Sequence, residues 1–393
     1  MADAATPPTE GASFDDAHRE AALGLAWLSP CGFHSLLRRL KEEGPLEVWA
    51  APRWRLEGWG LRGRSIDEFI AKRASFSAGQ AEAAVAERGL RFLGYGDPEF
   101  PRQLTQLSIP PAGIFVRAAG DRWRRMLESP RVTIVGTRRI TSYGVRATES
   151  FAAAFAATGV AVVSGMAIGV DTRAHRAALE TGGLTAAVLG CGADIPYPGT
   201  NRWLYERIVA KGVVISELPP GAPPAPWTFP HRNRLLAALG DAVLVVEAPV
   251  TSGALQTADA ALELGRSVYS VPGTIYSEGH RGCNKLIYDG AGPAFEPCVT
   301  VEDFLKQTRI ERGTRQAQGG RLSGADPATV SASGGLGSRN DKVWAALGAG
   351  ATSVDGLVGR TGLSARELSA ALAGLELEGL VRRVGPGIWA RGP

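Results

Sequence analysis

The chain has 393 residues, 45% of them hydrophobic and 21% charged, which gives two or three domains with real cores and excludes a disordered or fibrous chain. A formal net charge of +4 permits an acidic partner without demanding one. The four cysteines, Cys31, Cys191, Cys283 and Cys298, show no CxxC spacing, so neither a zinc site nor a disulfide framework is indicated, and a reduced, cytoplasmic setting is expected. No run reaches the roughly 18 apolar residues of a membrane span, and the start MADAATPPTEGASFDD has neither the basic end nor the apolar centre of a signal peptide.

Residues 1–14 are rich in Ala, Pro and Thr and read as a disordered tail. From 15 to 90, Ala21, Leu25 and Leu28 and then Leu36, Leu37 and Leu40 fall at helical spacing between Gly and Pro turns. This is the pattern of a helical SAM-like or helix-hairpin-helix domain, a type that holds DNA backbone or protein. A plain helical cap is the equal alternative, because Arg38, Arg39 and Lys41 are balanced by Glu42 and Glu43. From 91 to 306 strand and helix patterns alternate. Strands are predicted at 131–136, 160–164, 185–190, 213–217, 242–247 and 267–271, after a lead-in with one or two edge strands. Helices are predicted near 143–158, 171–181, 200–211, 231–240 and 253–265. Such alternation with continuous apolar strands predicts an α/β, doubly wound parallel sheet. Residues 307–339 lose periodicity and read as a flexible linker. Residues 340–393 read as three helices and a hairpin, a winged helix. Its third helix opens with a capping box, Ser364 with Glu367. That helix carries Arg366 against Glu367, Glu376 and Glu378, so protein docking is as good a reading as duplex DNA.

The turn GTRRITSYG lacks GxGxxG, the second strand ends in Ser164 rather than a ribose-binding acid, and no GxxxxGK[ST] occurs. Neither NAD nor ATP is supported, and no cofactor is expected. Three small-polar-glycine turns sit at strand ends instead: Gly136-Thr137-Arg138, Ser164-Gly165 through Gly169, and Ser252-Gly253. Singly each is an ordinary turn and cap. Together on one sheet edge they favour a phosphate-binding groove. His231, Arg232, Asn233 and Arg234 open a helix, where cations oppose the dipole. An anion, or a carboxylate such as Glu217 or Glu247, must offset them. Asn284 and Lys285 are expected to open a further helix and complete the groove. Asp171 and His175 lie four apart without a nucleophile, so a helix cap and a core histidine are expected rather than catalysis. The five histidines show no metal-ligand spacing.

Several motifs in order, IVGTRRITSYG, VVSGMAIGVDTRAHRAALETGG, AVLGCGADIPYPGTN, FPHRNRLLAALGDAVLVVEA, SGALQTADAALELGR and VPGTIYSEGHRGCNKLIYDGA, resemble those of the DNA processing protein A (DprA/Smf) family. The resemblance covers about residues 93–295. It implies an extended Rossmann fold without catalysis, flanked by the helical domain and the winged helix. It implies single-stranded DNA binding, homodimers through the Rossmann domain, and loading of RecA recombinase onto strands covered by SSB during natural transformation and homologous recombination. The implied DNA contacts are Gly136, Thr137 and Arg138, then Ser164 and Gly165, then Arg232, Asn233 and Arg234, then Ser252, Gly253 and Thr257. Thr137 stands where serine is common, and keeps the hydroxyl. His231 stands at an often basic position, with a pH-dependent charge. Phe229, Tyr197 or Tyr276 would stack bases or belong to the core. Two rival functions remain. One is a phosphoribohydrolase of the lysine-decarboxylase-like type, whose PGGxGTxxE motif is absent from this sequence. The other is a winged-helix DNA-binding regulator.

Overall fold

The β-branched run Val132 to Val135 lies in the centre of a sheet, as its composition dictates. The computed structural model describes residues 16–28 and 32–319 and, toward the C-terminus, 343, 346–347, 352–363, 368, 371–372, 375, 381–385 and 388–391. They fall into two units, one ending at Ala317 and the other beginning at Gln318.

In the first unit nine strands form one sheet: β1 (Arg91–Gly94), β2 (Gly113–Ala118), β3 (Arg131–Val135), β4 (Ala161–Ser164), β5 (Thr185–Val188), β6 (Val213–Ser216), β7 (Ala242–Val245), β8 (Ser267–Ser270) and β9 (Gly292–Pro293). Their spatial order is β1-β2-β6-β5-β4-β3-β7-β8-β9. All pairings from β6 to β9 are parallel. The lead-in strands β1 and β2 add an antiparallel edge against β6. Helices cover both faces, which is why the strands are apolar on both sides. Val132 and Ile134 pack with Phe151, Phe155 and Val170 on one face. Val135 and Val163 pack with Leu235, Leu236 and Ala258 on the other. Phe155 is wholly buried against Phe304, ring centroids 5.4 Å apart, so its truncation to alanine costs about 3–5 kcal/mol.

Each helix predicted in this sheet region is present, shifted by a few residues at most: Ser142–Ala157, Val170–Glu180, Arg202–Lys211, Thr228–Leu239 and Gly253–Glu263. The helices between Asp16 and Glu87 pack on the sheet through one apolar cluster. In it Leu23, Leu36 and Phe69 join Phe115 and Leu204. One boundary differs from the reading of 307–339 as a linker: the helix Pro297–Gly319 continues through its first residues. Val301, Phe304 and Thr308 bury its first turns. Beyond them Glu, Arg, Gln and Ala sustain a helix by propensity, which leaves no apolar stripe for periodicity to detect. Residues 320–339 and the capping pair Ser364 and Glu367 lie outside the described residues.

The second unit contains the helix Val354–Thr361 and a three-stranded antiparallel sheet of Thr352–Ser353, Ile388–Arg391 and Val381–Gly385 in that order. Val343, Leu347, Leu357, Leu368, Leu372 and Val381 form its core. This is the helix and wing expected of a winged helix.

Candidate nucleic-acid interface

β3 lies between β4 and β7, the point where the strand order reverses. Crevices for ligands open outside the carboxyl ends of strands at such points. A cleft of 690 Å³ lies here, between the turns that follow β3 and β7 and the segment that leads into the helix Thr228–Leu239. Gly136, Thr137, Arg138 and Arg139 form one wall, Ser252, Gly253, Gln256 and Thr257 another, and Pro224 to Pro226, Phe229, Arg232 and Asn233 a third.

The first turn is shaped by close packing. A Cβ on Gly136 would lie 2.5 Å from Val170 and 2.9 Å from the Glu247 carbonyl oxygen, so only glycine lets the chain leave β3 here. The Thr137 N–H donates to that carbonyl at 2.6 Å, and the Thr137 hydroxyl accepts from the Arg139 N–H at 3.1 Å. Arg138 and Arg139 therefore project outward, both exposed. Among the described residues neither has a carboxylate within ion-pair distance. The Arg138 guanidinium lies 5.8 Å from the centre of the Phe229 ring. Phe229 in turn lies 5.3 Å from the Tyr197 ring, tilted by 33°. Tyr197 is 39% exposed. A cation and two rings thus line one rim, with Tyr276, 92% exposed, standing elsewhere on the surface and not on this cleft.

The second turn supports the first, and its Ala167 and Asp171 line the same cleft. Ser164 is buried and its hydroxyl donates to the Ile134 carbonyl at 2.7 Å. The Asp171 carboxylate accepts from the N–H groups of Gly165 at 3.1 Å and Ala167 at 3.2 Å. Between them Met166 has the left-handed φ of 66°, a strained backbone for a non-glycine residue. The Asn201 amide, donating to the Met166 carbonyl at 3.0 Å, completes its support. Asp171 is not the helix N-cap that the sequence suggested. Gly169 holds that position, and Asp171 lies in the first turn. A Cβ on Gly169, at φ 87°, would lie 2.3 Å from the Thr137 carbonyl, so this glycine presses the second turn onto the first. Burial pushes the Asp171 carboxyl up, against the pull of Arg232 and the two N–H groups. His175 is a core residue, its Nδ1 2.7 Å from the Thr185 hydroxyl, and burial with Arg232 nearby pushes it down to about 3.

The arginines of the third segment are not free. Arg232 is buried and donates to the carbonyls of Gly165, at 2.8 Å, and Val188. Its guanidinium occupies the space that a side chain on Gly165 would need. Arg234 donates to the Ile109 carbonyl at 2.9 Å and pairs with buried Glu217. The carboxylate that the sequence required is therefore Glu217, and Arg234 braces the helix against it without lining the cleft. His231 lies beside this pair, and burial and Arg234 push it down to about 4. Arg234, not His231, neutralises Glu217. Asn233 donates to the Gly253 carbonyl at 3.2 Å and ties two walls together. Ser252 caps the helix Gly253–Glu263 by accepting from the Ala254 N–H at 3.2 Å, and Thr257 is buried in the same wall. Asn284 and Lys285 do not complete the groove. They lie within, not at the start of, the helix Arg281–Tyr288. Asn284 exchanges hydrogen bonds with Gly273 and Lys285 pairs with Asp289. Arg139, Gln256 and the rim at Pro224 to Pro226 were not anticipated. The doubled arginine of GTRR was the available signal for Arg139, and the aperiodic rim offered none.

Known proteins share this architecture. A family model described as DNA recombination-mediator protein A matches residues 91–308, and one described as DprA winged helix domain matches 326–387. Protein Smf from Synechocystis is 34% identical over 391 residues, covering 93% of this chain and 97% of that protein. A putative DNA processing protein DprA from Mycobacterium tuberculosis is 38% identical over 304 residues, 75% of each chain. The structure of DNA processing protein A from Streptococcus pneumoniae aligns with a TM-score of 0.61 at 28% identity, covering 72% of this chain and 96% of that one. A structure of DNA processing protein A from Helicobacter pylori, reported for its single-stranded DNA binding mode, aligns with a TM-score of 0.50 at 29% identity, covering 56% of this chain and 96% of that one. With the family model spanning more than half the chain and Protein Smf from Synechocystis matching nearly end to end, this chain belongs to the DNA recombination-mediator protein A family.

Proposed function

We propose that the chain binds single-stranded DNA across the cleft at the switch point and delivers it, without catalysis, to RecA recombinase. The observation that carries this reading is the rim: Arg138, without a carboxylate partner among the described residues, lies over Phe229, which packs against Tyr197. A strand of any sequence offers both phosphates for the cation and π-faces for the rings, and such sites are sequence-tolerant for that reason. Gly136, Thr137, Asn233, Ser252 and Gly253 offer small side chains and polar groups beside them. Arg232, Ser164, Gly165, Gly169 and Thr257 shape the floor and walls. The DNA-binding mode reported for the Helicobacter pylori relative supports the reading. Asp171 and His175, the pair most suggestive of acid–base chemistry, are engaged with backbone N–H groups and Thr185, which supports a non-catalytic role.

The proposal extends to a homodimer through the sheet unit, to action on SSB-covered strands in the cytoplasm during natural transformation, and to accessory roles for residues 15–90 and 340–393. The test compares oligo-dT with duplex of equal length by fluorescence anisotropy across salt. Preference for the single strand, lost with Arg138→Ala, is expected. Equal affinity of Arg138→Ala and wild type overturns the assignment. For the delivery step, wild type stimulates RecA strand exchange on SSB-coated DNA and Arg138→Ala does not.

A further inference from the structure

The helix Arg202–Lys211 follows Tyr197, which lines the cleft, and ends just before β6, at the amino ends of the parallel strands. Its length is about 15 Å at 1.5 Å per residue. Leu204, Tyr205 and Ile208 are buried against the sheet. Trp203, Arg207 and Lys211 follow one another at four-residue spacing, and so share a stripe of the helix surface. Trp203 is 44% exposed and the Arg207 guanidinium lies 5.9 Å from its ring centre. Tyr197, the outer ring of the cleft's stack, precedes this helix by a single short turn, Gly199–Asn201. A cation and an aromatic ring are thus repeated along a path that leaves the cleft.

At the foot of the stripe lies a second cleft, of 280 Å³, at the amino ends of β5 and β6. Arg122, Arg125 and Lys211 line it together with Leu179 and the chain from Gly182 to Leu184, and no acidic residue does. Arg122 donates to the Ala119 carbonyl at 2.8 Å. Arg125 and Lys211 are exposed and have no ion pair among the described residues. Nearby acids are engaged elsewhere, Glu128 with Arg124 at 2.8 Å and Glu180 with Arg176 at 3.0 Å. Asp121 and Glu206, the other carboxylates on these segments, do not line the cleft. Three like charges around so small a space repel one another, and an anion between them removes that cost.

We propose that this second cleft holds backbone phosphates of the same DNA strand, after it has passed from the central cleft over Trp203 and Arg207. The inference rests on the reading of the central cleft as a single-strand site. A polymer is required, because the central cleft reaches Tyr197, before the helix, and the second cleft reaches Lys211, its last residue.

The experiment uses the full chain and two probes, a short oligo-dT of about 6 nucleotides and a long one of about 25. Arg125→Glu/Lys211→Glu weakens the long probe by about tenfold or more and lowers its salt slope by about 1.4, the share of two phosphates on a single strand, with the short probe unchanged. Arg125→Gln/Lys211→Gln gives a smaller loss of the same pattern, and serves if charge reversal disturbs folding. An unchanged affinity for the long probe overturns the second cleft and leaves the central one standing, as does an equal loss on both probes. Arg138→Ala weakens both probes. If it weakens neither, the central reading fails and this inference falls with it.

Discussion

Two arginine pairs from the motifs around the cleft have opposite fates. Arg138 and Arg139 follow a strand end at a glycine turn, project outward, and meet no carboxylate among the described residues. Arg232 and Arg234 were expected to open a helix but lie within the helix Thr228–Leu239, Arg232 lining the same cleft and Arg234 behind it; one is buried on two carbonyls and the other is paired with Glu217. In sequence the two pairs look alike. What separates them is whether the fold supplies acceptors: an arginine with its acceptors inside the protein is a brace, and one without them is available to phosphate.

Substitutions that separate stability from binding test this division. The largest effect is expected for Arg232→Ala, which leaves the Gly165 and Val188 carbonyls without their donor and buried Asp171 without its cation. A loss of about 3–5 kcal/mol in urea unfolding follows, and a loss below about 1 kcal/mol would show that Arg232 is not a brace. Arg234→Ala strands Glu217 in a buried site and is expected to lose about 2 kcal/mol of stability, while the folded variant keeps wild-type affinity for oligo-dT. Weakened DNA binding by that folded variant would blur the comparison. Arg138→Ala reverses the pattern: stability stays within about 0.5 kcal/mol, and affinity falls by about tenfold or more, with a salt slope lower by about 0.7. Phe229→Leu keeps an apolar filler and removes the π-face. A loss near 1 kcal/mol in oligo-dT binding is expected from stacking, and no loss would assign Phe229 to packing alone.

The gentlest probe is pH. His231 and His175 are pushed down to about 4 and about 3 in the folded chain, against about 6.5 when unfolded. Below about 6.5 the unfolded chain binds protons that the folded one refuses, so these two residues make stability fall as pH drops toward about 4. Replacing His231 with glutamine therefore flattens that decline in urea midpoints. It leaves the pH dependence of DNA affinity near neutrality unchanged, because His231 is already neutral there.

The sheet was legible because buried parallel strands are apolar on both faces and short. Val132 to Val135, Ala242 to Val245 and the glycines between elements mark themselves. The helix Pro297–Gly319 crosses the boundary drawn at 306 because its later residues carry no apolar period in the sequence. The site was half legible. Thr137 and Arg138 lie where the turn chemistry puts them. Ser164, Arg232 and Arg234 have the same residue types, but acceptors on Ile134, Gly165, Val188 and Ile109, far away in the chain, claim them. Such partners are a property of the packed fold, and no local pattern encodes them. The placement of Asn284 failed for a simpler reason: the helix starts three residues earlier, at Arg281.

The central claim is that Arg138 holds phosphate while Arg234 holds the protein. The most direct measurement is the salt dependence of oligo-dT affinity for wild type, Arg138→Ala and Arg234→Ala, each checked for folding by circular dichroism. The account predicts a lower slope and weaker binding for Arg138→Ala alone. An unchanged slope in Arg138→Ala, with a lowered one in Arg234→Ala, would contradict it.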